Sequence, residues 1–267
     1  MGNSFINLKR VTTIFYALCT VFIALPLVSL VVSRTQASVL MGNHVLADAI
    51  GVSLKTSSAM LFITLVIGTP AAYAYARNQF KGKKVLNVVL DLPLILPPAV
   101  AGLLLLMTFG RRGWIGGLLS YMDIQLPFTM AAVVMAQLFV GLPIYIKTAA
   151  QGFMGVDERL ELTAMTLGDS RLKAFLRITL PLASSSILTG AIMAWARGLA
   201  EFGATIMFAG NLQGLTQTLP LAIYSAMETD TGVALGIAQV MVVVSMILLV
   251  TVHIIDKGRR DHVKMSD

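Results

Sequence analysis

Apolar positions in this chain come in long runs. They do not alternate, and they do not form a helical stripe backed by polar residues. Six runs stand out, at about 11–33, 55–76, 85–109, 128–150, 182–209 and 233–255. A hydrocarbon core about 30 Å thick needs about 20 apolar residues in a helix, and the absence of alternation excludes the strands of a lipid-facing barrel. The pattern predicts an all-α, polytopic membrane protein with six transmembrane helices in a single domain, 1–267.

Proline and small residues interrupt the runs. Pro70 follows Gly68 and Thr69, Pro93 precedes the pair Pro97 and Pro98, and Pro143 follows Gly141. Each removes a backbone donor and bends a helix, either as an ordinary packing kink or around a pathway that opens and closes. Ala72 with Ala76, and Gly190 with Ala194, are spaced for close helix contact within a subunit or between subunits. There is no internal repeat, so six helices are expected to be half of a pore, completed by a second copy or a paralogue.

Composition agrees with this reading. The chain is 57% hydrophobic and 12% charged, against about 25% charged in a soluble domain. Its net charge of +7 reflects orientation. With the N-terminus inside, fifteen Lys and Arg fall in cytoplasmic segments and three (Arg34, Arg111, Arg112) outside, so both termini are expected in the cytoplasm. No aromatic-basic cluster suggests nucleic acid. Cys19, the only cysteine, is expected as a buried structural thiol. The run beginning at Val11 is too long for a cleaved signal. His44, His253 and His262 lack metal-ligand spacing, and Asp91 is expected to cap or pair locally.

One polar stretch breaks the pattern, the segment 151–181 between the fourth and fifth runs. Asp157 and Glu158 suit a helix start. Gly168 allows a sharp turn, and Asp169 or Ser170 can cap a second short helix, ended by Pro181. Leu172, Phe175 and Leu176 form one stripe on that helix, with Arg171, Lys173 and Arg177 off it. A charged loop with an apolar stripe at a membrane surface is built to press on another protein.

This stretch resembles the EAA loop of the membrane subunits of binding-protein-dependent ABC importers. Gly168, Ile178, Leu180 and Pro181 match its Gly, nine residues, Ile-x-Leu-Pro frame, and Thr163 and Ala164 fall on the two Ala positions. The Glu position falls on Leu162, with Glu161 one residue before it. Segments 91–103, 196–211 and 216–224 further resemble permease subunits of molybdate or tungstate importers. Sulfate or thiosulfate permeases share the Ala-Arg-x-x-x-Glu-Phe-Gly portion from Ala196 to Gly203 and are the nearest alternative.

The resemblance implies a type I importer permease fold in the cytoplasmic (inner) membrane, assembled as a homodimer. Two ATPase subunits would dock through Glu161, Thr163, Ala164, Leu167, Gly168, Leu172, Phe175, Ile178, Leu180 and Pro181, and an external binding protein would deliver the anion. No enzymatic activity is expected of the chain itself. Gly82-Lys83-Lys84 lacks both the first Gly and the Ser/Thr of a phosphate loop, so ATP and Mg would be bound by the ATPase partner, leaving no cofactor on this chain. A dianion entering against about 100 mV costs on the order of 4–5 kcal/mol, which calls for an external energy source.

Candidate pathway residues are Arg197, Glu201, Thr216, Gln217 and Thr218. Arg197 and Glu201 are four apart in the fifth run and share a helix face. They are either a neutralised structural pair or an anion-attracting Arg tuned by its Glu. The segment 210–232 is half apolar, with three neutral donors at 216–218. It either dips back between the fifth and sixth spans or lies on the headgroup layer. A secondary anion transporter, the alternative of a different class, would need intramembrane carboxylates free for ion coupling and leaves the 161–181 loop unexplained.

Overall fold

The computed structural model of the chain describes residues 2–32 and 44–264. The end of the first expected span and Arg34 lie outside the described residues. The elements are helices throughout: α1 (Gly2–Val32), α2 (His44–Arg77), α3 (Lys83–Ile95), α4 (Pro98–Phe109), α5 (Trp114–Ser120), α6 (Met130–Met154), α7 (Glu158–Thr166), α8 (Arg171–Leu199), α9 (Gly203–Ala209), α10 (Leu219–Thr229) and α11 (Thr231–Lys264). Among the described residues, five helices are long and apolar enough to cross a membrane, and the bent pair α3–α4 makes a sixth.

Three helices differ from the runs that predicted them. α2 begins at His44 rather than 55, and the added turns bury Leu46, Ala49, Val52 and Ser53. The third run is broken by a 116° bend. Leu96 and Pro97 adopt extended backbone there (ψ 137° and 133°), as residues preceding proline do. The fifth run is likewise two helices, α8 and α9, separated at Ala200–Phe202.

α6 is the centre of the bundle, packed on α2 along one side and α8 along the other. Its seam with α8 is built from small residues. A Cβ on Gly152 would lie 2.4 Å from Ser186 Cβ, and one on Gly190 3.1 Å from Thr148 Cβ. Gly190 and Ala194 thus mark an interface within the subunit. With lipid as solvent, such close van der Waals packing replaces the hydrophobic drive between helices. Thr69 and Tyr145 hydroxyls bond at 2.6 Å across α2 and α6.

α10 is set inward. Leu219, Leu221, Ala222 and Ala226 are buried, and its start is fixed by Leu219 N donating to Ser53 Oγ at 2.8 Å. With Leu46, Ala49, Ala234 and Ile237 it forms a common apolar cluster, which favours the dipping reading of the 210–232 segment. Cys19 is exposed on α1 rather than buried. That helix touches the bundle mainly along α11, with Gln239 Nε2 donating to Leu30 O at 2.8 Å, so most of its circumference faces outward.

Candidate functional site

The backbone of the polar loop folds as its sequence suggests, with one difference. Asp157 accepts from Arg159 N at 2.9 Å and starts α7. Gly168 turns the chain at φ +102°, a left-handed value that costs a residue with Cβ about 1–2 kcal/mol. Ser170 then caps α8. The difference is at Pro181. The loop helix does not stop there but continues through a π turn, Phe175–Thr179, into the membrane. Leu180 N bonds to Phe175 O, five residues back, and Pro181, which has no N–H to give, follows directly. π turns are rare and frequently mark functional positions. Here one joins the loop to a transmembrane helix without a hinge.

The inward side of the loop is polar at its centre. Glu161 is 7% exposed. Its carboxylate accepts from Tyr73 Oη at 2.7 Å, from Arg77 Nη2 at 3.1 Å and from the Thr179 hydroxyl. Arg77 also donates to Val156 O at 3.0 Å. The Tyr73 ring stands edge-on to Phe153 and Phe175, with centroids 5.6 and 4.7 Å away. Burial pushes the Glu161 carboxyl up. The hydrogen bonds from Thr179, Tyr73 and Arg77 and the charge of Arg77 outweigh it and hold the group below its ordinary 4.5.

Other residues point outward. Leu160, Leu162, Leu167, Leu172 and Leu176 are exposed, Leu167 at 85%. Thr163 is exposed and bonds back to Arg159 O at 2.8 Å. The expected docking set therefore divides. Thr163, Leu167, Gly168 and Leu172 lie outside. Glu161 and Ala164 are buried, and Phe175, Ile178 and Leu180 are half-buried. The stripe of Leu172, Phe175 and Leu176 divides in the same way, since the inward face of this helix carries Ala174 and Thr179 beside Phe175. Leu162, on the family's Glu position, presents apolar surface instead. Tyr73 and Arg77, the partners of Glu161, carried no sequence signal beyond Arg77 falling in a segment expected to be cytoplasmic.

In the membrane, Arg197 Nη1 donates to Glu201 Oε2 at 2.7 Å, and Ala204 N donates to Oε1 at 2.8 Å. The buried Glu201 thus neutralises Arg197 and starts α9 across the helix break. Next to Arg197, Gly198 packs against α2 and α6: a Cβ there would lie 2.1 Å from Met60 Cε and 3.4 Å from Gln137 Cβ. Gln137 is fully buried; its Nε2 donates to Thr56 Oγ1 at 3.3 Å and its Oε1 is unpartnered. Gln137 and Thr56 went unnoticed in the sequence because a neutral polar residue in an apolar run barely alters the pattern. Asp91 does not pair locally; its partner is Lys147 on α6, 56 residues further along the chain.

Thr216, Gln217 and Thr218 are buried near α10. Thr216 Oγ1 accepts from Leu212 N at 3.0 Å, and Gln217 Nε2 donates to Asn211 at 2.9 Å and to Ser225 at 3.3 Å. Thr218 Oγ1 has no partner. No hydrogen bond joins this trio to Arg197 or Glu201 among the described residues, so the expected pathway residues form two separate groups. Among the described residues no cluster of His, Cys, Asp or Glu could hold a metal ion.

Residues 64–261 match the family model of binding-protein-dependent transport system inner membrane components. The chain is 41% identical over 186 residues to the molybdenum transport system permease protein of Escherichia coli (strain K12), covering 69% of this chain and 81% of that one. It is 36% identical over 207 residues to the molybdate/tungstate transport system permease protein of Pyrococcus abyssi (strain GE5 / Orsay), covering 73% and 76%. Its fold matches a chain of a bacterial alginate ABC transporter solved with an alginate pentasaccharide-bound periplasmic protein. That match has a TM-score of 0.69 and 14% identity, over 92% of this chain and 94% of that one.

Proposed function

The chain belongs to the inner-membrane components of binding-protein-dependent transport systems, and from that premise we propose that it is the membrane-spanning subunit of an ATP-driven importer of molybdate or tungstate. It works as a homodimer, takes the anion from an external binding protein, and is driven by two cytoplasmic ATPase subunits that hold the ATP and Mg. Both termini face the cytoplasm. The chain itself catalyses no reaction; it changes which side of the membrane its pathway faces.

The observation that carries the driven-subunit reading is the row of exposed leucines on α7 and the start of α8. Apolar side chains on a charged loop outside the hydrocarbon region mark a protein interface, and the π turn makes that interface continuous with a transmembrane helix. The relatives' names support the oxyanion. Ion-coupled secondary transport is disfavoured because Glu201 has both oxygens engaged and Asp91 is paired with Lys147.

The test is uptake of labelled molybdate and labelled sulfate by cells with and without this chain. Molybdate uptake that depends on the chain and is not suppressed by excess sulfate is expected. Chain-dependent uptake of sulfate alone would contradict the substrate assignment.

A further inference from the structure

We propose that Glu161 is a positioning residue for transport: its carboxylate latches the outward-facing helix α7 to the ends of α2 and α8, so that the three move as one piece. The proposal deepens the reading of this loop as the surface on which the ATPase presses, and rests on it.

Few other contacts hold α7 in place; one is the exposed ion pair of Arg77 Nη1 with Glu158 Oε1 at 3.5 Å. The helix has nine residues, fewer than the 12–15 or so at which an isolated helix becomes even marginally stable. Only Glu161 and Ala164 are buried on it, so apolar contact with the bundle is slight. Glu161 instead receives hydrogen bonds from two separate elements. Tyr73 and Arg77 lie on the last turns of α2, and Thr179 lies on the π turn of α8. Arg77 fixes the approach to α7 as well, through Val156 O.

These bonds are directional and partly shielded from water, and a buried carboxylate stripped of its donors is costly. An apolar contact of one Ala can slide under load; a carboxylate held by donors on both α2 and α8 resists sliding against either helix. The aromatic contacts of Tyr73 with Phe153 and Phe175 keep the hydroxyl of Tyr73 on target. A push on the outer leucines is therefore delivered to two transmembrane helices at once.

The test uses the assembled transporter in vesicles and reads three quantities: ATPase subunit bound, ATP hydrolysed, and labelled molybdate taken up per ATP. Glu161→Gln keeps the shape and one acceptor but loses the charge. It is expected to retain bound ATPase and hydrolysis while uptake per ATP falls tenfold or more. Tyr73→Phe removes one donor and keeps the ring, with an expected two- to threefold fall; Glu161→Asp is expected to recover part of the loss. Normal uptake per ATP in Glu161→Gln overturns the latch alone. So does a Glu161→Gln chain that fails to assemble while Tyr73→Phe is fully coupled, because Glu161 would then be only a fold staple. Failure of the unaltered chain to bind any ATPase overturns the reading of the loop, and the latch with it.

Discussion

Removing the Arg197 guanidinium separates its two possible roles. Glu201 is 1% exposed, and Arg197→Ala leaves it one donor, Ala204 N. Breaking a buried ion pair costs about 3–5 kcal/mol. The Arg197 side chain is 36% exposed and partly screened, which brings the expected loss to about 2–3 kcal/mol. The double variant Arg197→Ala with Glu201→Gln removes the stranded charge, keeps an acceptor for Ala204 N, and is expected to recover most of that stability. Transport should not recover with it. A charge-assisted hydrogen bond to the anion contributes about 1.5–3 kcal/mol, a factor of roughly 10 to 100 in rate. The assay is thermal unfolding of the purified complex beside ATP-driven molybdate uptake in vesicles. A double variant as stable as the unaltered chain and equally fast in uptake would refute any role for Arg197 in the pathway.

Leu167→Asp, at an 85% exposed position, should leave the melting temperature of the isolated chain unchanged but weaken ATPase binding by about 2 kcal/mol, or roughly thirtyfold, as read by titration with the ATPase subunit. Gly168→Ala meets no neighbour within 4 Å, yet its φ of +102° should cost about 1–2 kcal/mol and make the 158–170 segment more open to limited proteolysis. Gly152→Val would force a side chain against Ser186, with an expected loss of about 1–3 kcal/mol of stability by overpacking, measured by thermal unfolding in detergent. The Glu161 carboxyl lies below its ordinary 4.5, so its stabilisation is in full force above that value and drains as pH falls through the lowered folded one. It is faced by Tyr73 and Arg77 of α2, Glu158 of α7, and Thr179 and Arg171 of α8. Hydrogen exchange in 158–166 should quicken over that acid range in the unaltered chain and not in Glu161→Gln.

The membrane class was legible because long apolar runs have few folded solutions in lipid. The loop's turn was legible at Gly168, whose positive φ few other residues adopt. Less visible was anything that depends on a partner distant in sequence. Glu161 reads as part of the outward docking surface until Tyr73 and Arg77 are brought to it from α2. Cys19 reads as buried from its apolar neighbours, although an apolar helix in lipid need not be inside the protein. The break between α8 and α9 has no proline to announce it. It is made by Glu201, whose carboxylate satisfies Ala204 N once the helix has ended.

The most direct measurement places the purified chain in vesicles with the external binding protein and labelled molybdate, with and without the ATPase subunit and ATP. A chain moved by a separate ATPase accumulates anion only when both are present, with uptake tracking hydrolysis. Accumulation against a gradient by this polypeptide with no ATPase present would contradict the account.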